Sequence, residues 1–289
     1  MTVVGILGLG LLGHAVASRL LAGGRNAWDV VGYDVVPDRV AELVRLGGRG
    51  AASAAEVAAA DAVCVVLPSL ASVEEVILGT GGLVARRRQG QTIVQMSTIS
   101  PALTRRLARE VDTRGMHFLD CPISGTSAMV ERGNGVVFVG GERAVFERWR
   151  AMLDTVLPRP VYVGEAGQAM VLKLVANLLV ALHSAAAAGA LAMARRAGLD
   201  LDLELDVLGS GAASSRMLEV RGPLIVKGEF PAQMKLDLFM KDLHLIQEAA
   251  GEVGAPLPLT DVAERLYASV QAAGHGHEDL SVVVKALEQ

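Results

Sequence analysis

Three glycines near the start of the chain carry the first chemistry. In GILGLGLLG, Gly8, Gly10 and Gly13 stand in G-x-G-x-x-G register, after an apolar run and at the opening of a helical pattern; Leu9, Leu11 and Leu12 fill the loop between them. In such a loop the first glycine allows a tight turn, the second lets backbone approach a pyrophosphate, and the third lets the helix pack on the strand. The helix N-terminus adds unpaired N–H groups and a partial positive charge. Asp34 closes the next apolar run, 21 residues after Gly13, where an acid accepts from an adenosine ribose hydroxyl. It would repel a 2′-phosphate, and Val35 and Val36 bring no cation, so NAD is expected over NADP. The competing reading is an ordinary glycine-rich turn with Asp34 as a surface carboxylate.

A nicotinamide cofactor moves hydride, so a proton carrier and a substrate anchor are needed. Lys173 and Asn177 lie four apart in a long apolar helical pattern, hence on one face. A packed helix would desolvate Lys173, disfavour its charged form and suit it to acid–base work near neutral pH. Asn177 would orient the ammonium or a substrate hydroxyl. A lysine that snorkels at the helix edge is the alternative. In DCPISGTSAMVERG (120–133), Ser124, Gly125 and Thr126, followed by Ser127, form a polar turn whose hydroxyls and N–H groups suit a small carboxylate. The same residues could simply cap a helix over 128–132, with Thr126 or Ser127 as the cap.

Other candidates have plainer readings. His14 reads as a surface or cap residue, and His244 as helix packing. His275 and His277, in a glycine turn without a third ligand, read as a solvated loop, so no metal is expected. Cys121 has no nearby base to make it a nucleophile. Arg86, Arg87 and Arg88 read as a solvated face.

These residues must be held by two styles of chain. Strand-length apolar runs at 3–8, 30–34, 62–67 and 92–96 alternate with helical patterns at 11–22, 37–46, 53–59, 73–78 and 101–113. Further strands are expected at 118–120, 136–140 and 161–163. Such alternation predicts βαβ units and a mostly parallel sheet covered on both faces. After about Gly164 the strands stop. A helix of about thirty residues over 167–197 precedes helical patterns at 201–208, 214–220, 236–253, 259–273 and 279–287, punctuated by Gly222–Pro223, Gly254, Pro256 and Gly274–Gly276. The expectation is an α/β fold: a Rossmann-type, doubly wound N-terminal domain over 1–163, then an all-α C-terminal domain over 164–289.

Composition narrows the classes further. The chain has 289 residues with 27 Lys+Arg against 31 Asp+Glu, and this mild acidity argues against a nucleic-acid binder. Two cysteines give no disulfide framework and suit a cytoplasmic setting. The N-terminus reads as a strand, not a signal peptide. The most apolar stretch, 169–194, contains Lys173, Asn177 and His183, which argues for a helix inside protein, not a membrane span.

The chain resembles the β-hydroxyacid dehydrogenases, the group containing 3-hydroxyisobutyrate dehydrogenase and tartronate semialdehyde reductase. Ordered blocks carry the resemblance along nearly the whole length: GILGLGLLG (5–13), STISP (97–101), DCPISGTSAMVERG (120–133), GEAGQAMVLKLVANLL (164–179) and KDLHL (241–245). It implies an active site between a Rossmann-type domain and a helical one, working on a small carboxylate-bearing 3-hydroxyacid or its semialdehyde. It implies Lys173 as catalytic lysine, Asn177 as its companion and Ser124–Gly125 as substrate anchor. It also implies Thr98 near the nicotinamide, Lys241 closing over cofactor and substrate, and Leu67 and Pro68 on the adenosine side. A homodimer or homotetramer is implied as well. The sequence departs from the family pattern at Leu12, commonly Met, at Ala169 and Ala176, and at Thr126, usually a second glycine. Thr126 should alter pocket width and hydrogen bonding. The loop also partly resembles that of sulfolactaldehyde reductases, but Gly125 replaces their arginine, which disfavours a sulfonate. The C-terminal half is too short for a phosphogluconate dehydrogenase. A non-catalytic NAD-binding scaffold should lack the lysine and anchor loop, and an imine reductase typically lacks the lysine.

Overall fold

A computed structural model describes residues 1–23, 28–86 and 88–288, so Arg87 lies outside the described residues. The chain forms two compact units, Met1–Lys173 and Leu174–Gln289.

The first unit is a twisted sheet between helices. Its strands are β1 (Thr2–Leu7), β2 (Trp28–Tyr33), β3 (Arg49–Gly50), β4 (Ala62–Val65), β5 (Thr92–Gln95), β6 (His117–Asp120), β7 (Ile123–Ser124), β8 (Val136–Gly141) and β9 (Val161–Gly164). They run in the order β3-β2-β1-β4-β5-β6-β8-β7, with β9 on β8. The first six are parallel, and β8 runs antiparallel to β6. This is the doubly wound order 3-2-1-4-5-6, whose direction reverses between β1 and β4. Period-two alternation feeds two cores. Ala62, Cys64 and Val94 face one with Val16 and Leu20 of α1 (Leu11–Ala22) and Phe146, Trp149 and Leu153 of α7 (Arg143–Val156). Val63, Val65 and Ile93 face the other with Val73 and Ile77 of α4 (Leu70–Leu78) and Leu107 and Val111 of α5 (Pro101–Asp112). The remaining helices here are α2 (Pro37–Arg45), α3 (Ala54–Val57) and α6 (Ser127–Glu131). Helix α7 is unassigned in the sequence reading. Its buried Val145, Phe146, Trp149, Met152, Leu153 and Val156 recur at helical spacing, so the signal was present.

Helix α8 (Gln168–Arg196) is one uninterrupted element, as its sequence predicts. It is long and apolar enough to cross a membrane by length and composition, but Lys173, Asn177 and Ser184 along it are buried, the pattern of a core helix.

The second unit adds α9 (Leu201–Ser210), α10 (Arg216–Lys227), α11 (Leu236–Glu252) and α12 (Pro258–Val270). Phe239 and Tyr267 meet edge to face at its centre, and the Tyr267 hydroxyl donates to the Ala181 carbonyl at 2.9 Å.

Three expectations need correction here. Gly222–Pro223 does not break the chain but lies inside α10. A side chain at 222 would meet Leu205 Cδ2 at 2.5 Å, so glycine serves the packing of α9 on α10. The segment expected as an α-helix over 279–287 is a 3-10 helix, Leu280–Ala286, started by the Asp279 side chain accepting from Ser281 N–H. His244 does not pack: its side chain is exposed and lies 3.4 Å from Glu264.

Candidate active site

The glycine loop has the shape of a dinucleotide cradle. Gly8 adopts φ +92°, and a Cβ there would sit 2.1 Å from the Val66 carbonyl oxygen. A Cβ on Gly13 would lie 1.9 Å from the Gly8 oxygen, so close helix-to-turn packing excludes one. At Gly10 a Cβ would meet only Arg39, at 4.0 Å. Neighbouring protein therefore does not demand that glycine; the open side is where a phosphate group would approach backbone. Gly10 starts α1 with no side-chain cap, leaving the first-turn N–H groups to a ligand.

Asp34 belongs to this loop and is not a surface carboxylate. Its Oδ2 accepts from Leu9 N–H at 2.7 Å, its Oδ1 accepts from Val36 N–H at 2.9 Å, and the side chain is 5% exposed. Arg39 Nη1 donates to both oxygens at 3.3 Å. The sequence reading missed this cation because it considered only the next two residues. Asp34 and Arg39 instead face each other where β2 passes into α2. With two N–H donors and a guanidinium on one carboxylate, its acceptor sites are filled, so any further donor would have to displace one of them.

Next to the loop, Leu67 N–H donates to Ser97 Oγ at 2.8 Å, tying the turn after β4 to the one after β5. Pro68 is exposed, and Thr98 half-buried.

Ser124, Gly125 and Thr126 are half-buried at the end of β7. Thr126 caps α6, its Oγ1 accepting from Met129 N–H at 3.3 Å. The capping reading therefore holds for Thr126. Behind this loop, buried Asp120 pins the start of α8: its Oδ2 accepts from Gly167 N–H at 3.0 Å and Met170 N–H at 2.9 Å. The end of β6 and the start of the lysine helix are thus fastened by one side chain.

Burial pushes the Asp120 carboxyl up to about 7, against the pull of those two N–H donors. The folded chain then holds this proton more tightly than the unfolded chain does. The stabilisation is complete below about pH 4, the unfolded value, and is lost as pH rises through about 7. Asp120→Asn should therefore gain thermal stability relative to the parent between pH 4.5 and 8, by up to an order of 4 kcal/mol. Calorimetry across that range checks this, and parallel curves for the two proteins would exclude it.

Lys173 is 6% exposed and Asn177 4% exposed, so the snorkelling reading of Lys173 fails. Asn177 Nδ2 donates to Asp242 Oδ2 at 2.8 Å, and Lys241 Nζ lies 3.0 Å from Asp242 Oδ1. Asp242 is a second residue that sequence reading missed, although it sits inside the KDLHL block.

Other groups stand apart. Cys64 and Cys121 are buried free thiols; burial pushes Cys64 up to about 12 and Cys121 well above its ordinary value, so neither is a nucleophile. Among the described residues no cluster of three or more His, Cys, Asp or Glu side chains could hold a metal. His275 is half-buried, 3.3 Å from Glu278 and 3.4 Å from Lys285 Nζ, whereas His277 is exposed. Arg88 pairs with Asp61 at 3.0 Å. A cavity of about 400 Å³ in the first unit, lined by Arg105, Arg109, Asp112, His117 and Glu142 among others, includes none of the candidate site residues.

Comparison with known proteins agrees with this geometry. Residues 3–164 match the NAD binding domain of 6-phosphogluconate dehydrogenase, and residues 166–287 match the NAD-binding region of NADP-dependent 3-hydroxyisobutyrate dehydrogenase. The 2-hydroxy-3-oxopropionate reductase of Escherichia coli is 35% identical over 99% of this chain and 97% of its own. The 2-(hydroxymethyl)glutarate dehydrogenase of Eubacterium barkeri is 33% identical over 99% and 95%. A crystal structure of 3-hydroxyisobutyrate dehydrogenase from Salmonella typhimurium superposes with TM-score 0.90 at 33% identity, covering 99% of both chains. With a dinucleotide cradle at one end, a buried lysine helix in the middle and both matching regions in order, the chain belongs to the β-hydroxyacid dehydrogenase family, of the 3-hydroxyisobutyrate dehydrogenase type.

Proposed function

We propose that this chain is an NAD-dependent oxidoreductase acting on the CH–OH carbon of a small 3-hydroxyacid or its semialdehyde, with Lys173 as general acid and base. The observation that carries the proposal is an amine at 6% exposure, one helical turn from a buried asparagine, in a chain with a fitted dinucleotide loop. Bound NAD supplies the hydride acceptor. Lys173 Nζ, when neutral, takes the proton of the substrate hydroxyl; when protonated, it returns that proton to the forming alkoxide. Such a positioned group contributes about 100- to 10,000-fold. Ser124 Oγ and the N–H groups of Gly125 and Thr126 hold the substrate carboxylate. Since Thr126 Oγ1 already accepts from Met129 N–H, it has its proton left to give, which favours an acceptor on the substrate. Lys241 adds positive charge and Asn177 orients the Lys173 ammonium. On this reading residues 1–163 bind the dinucleotide and 164–289 serve substrate and assembly.

Gly8, Leu9, Gly10, Leu11, Leu12 and Gly13 would hold the pyrophosphate, with Leu67, Pro68 and Thr98 beside the cofactor. Asp34 would take the adenosine ribose and set the NAD preference. Asp34→Ala removes that acceptor and frees Arg39, so the ratio of kcat/KM for NAD over NADP should fall at least about 10-fold, the value of one charge-assisted hydrogen bond. Initial rates with both cofactors check this, and an unchanged ratio would count against the ribose contact.

The chain assembles as a homodimer or homotetramer in the cytoplasm on this reading. Exposed Val171, Val175 and Leu179 form an i, i+4, i+8 row on α8, and Leu203 and Val207 add a second on α9, surfaces that a second copy would cover. The free cysteines fit a reducing compartment. Light scattering and a panel of 3-hydroxyacids with both cofactors test assembly and activity. No turnover with any of them would defeat the activity.

A further inference from the structure

We propose that Asp242 is a positioning residue that fixes which edge of the Asn177 amide faces the proton-carrying Lys173. The inference rests on the reading of Asn177 as a site residue. A carboxylate only accepts hydrogen bonds, so the amide edge that meets Asp242 Oδ2 at 2.8 Å is the NH2 edge. The carbonyl edge is thereby turned the other way and left as an acceptor for the ammonium of Lys173, one turn earlier on the same helix.

Both residues are 4% exposed, so no bulk water can substitute for the carboxylate if it is removed. The two residues stand 65 positions apart, on α8 and α11, and their meeting is a product of packing in the second unit. The other carboxylate oxygen lacks a hydrogen bond of good geometry but has the Lys241 ammonium at 3.0 Å. One acid therefore touches two residues of the proposed site. Without it, the Asn177 amide can flip, and a flipped amide offers a donor where the ammonium that forms on Lys173 needs an acceptor. The effect belongs in kcat, because the mispresented edge disturbs the proton carrier and not the dinucleotide.

The test is a double-mutant cycle on the NAD-loaded enzyme with Asp242→Ala, Asn177→Ala and the pair, alongside Asp242→Asn, which keeps an acceptor oxygen in place. Asp242→Ala should lower kcat about 10- to 100-fold, while NAD affinity by titration calorimetry stays unchanged. Asp242→Asn should recover most of the loss. The pair should be no slower than Asn177→Ala alone. If Asp242→Ala does not fold, Asp242→Leu takes its place in the cycle. Independent, multiplying losses would overturn the proposal, as would a loss confined to NAD affinity, which would give Asp242 to Lys241 instead. Lys173→Ala, assayed in parallel, decides the lysine alone: its retained turnover would remove the proton carrier while the Asn177–Asp242 coupling could still be read.

Discussion

Replacing Lys173 by alanine should lower turnover by at least about 100-fold and leave NAD affinity unchanged. Alanine is the best helix former, so α8 keeps its backbone. The dinucleotide contacts proposed for the glycine loop and Asp34 do not involve this side chain. What is lost is the group proposed to carry the hydroxyl proton, and water is a poor replacement at a position only 6% exposed. Lys173→Arg should fare little better, because a guanidinium keeps its proton across the working pH range and cannot act as base. Steady-state kcat with the preferred hydroxyacid, together with calorimetric NAD binding, distinguishes the outcomes. Turnover within about threefold of the parent would refute the lysine's role, and a matching loss of NAD affinity would make it a binding residue.

The largest stability effect is expected at Asp279, remote from the chemistry. This carboxylate is completely buried. It accepts from Arg221 Nε at 3.2 Å, from Gln233 and Met234 N–H at 3.2 and 3.0 Å, and from Ser281 N–H and Oγ at 3.0 and 2.8 Å. It thereby ties α10, the segment before α11 and the final 3-10 helix together. Asp279→Ala leaves the Arg221 guanidinium, 3% exposed, without its counter-charge and orphans four further donors. Breaking a buried pair from one side costs about 3–5 kcal/mol, set against a total stability of about 5–15 kcal/mol. The loss is therefore a large share of what holds the fold together, and Asp279→Ala should unfold at markedly lower urea than the parent. Arg221→Met is the informative contrast. It removes the cation but leaves Asp279 its four other donors, so its cost should be smaller, about 1–3 kcal/mol. Urea unfolding followed by circular dichroism ranks the two. An Asp279→Ala protein within about 1 kcal/mol of the parent would show that the pair holds nothing, since single surface changes fall in that range.

Much of the fold was legible because its signals are local. Val/Leu runs of strand length mark the parallel strands, and the Gly8–Gly13 loop marks the first crossover. The uninterrupted apolar pattern marks α8 within a residue at each end. What escaped were elements whose local chemistry misleads. Gly222–Pro223 reads as a breaker, yet the helix continues because α9 packs against that glycine. His244 reads as core because its neighbours are apolar, but its own direction from the helix axis places it outside.

By itself the sequence determined the alternation of the main strands with helices in the first unit, the long helix α8, the dinucleotide loop and the spacing of Lys173 and Asn177 one turn apart. Each rests on residues within a few positions of one another, where periodicity and backbone sterics act directly. Only the tertiary structure decided that Asp120 clamps the start of α8 from 47 positions away and that Asp242 holds Asn177 from 65. Those contacts join polar groups that are distant in the chain. They form because burying apolar faces brings the backbones together, and because a buried acid must then find donors wherever packing has placed them.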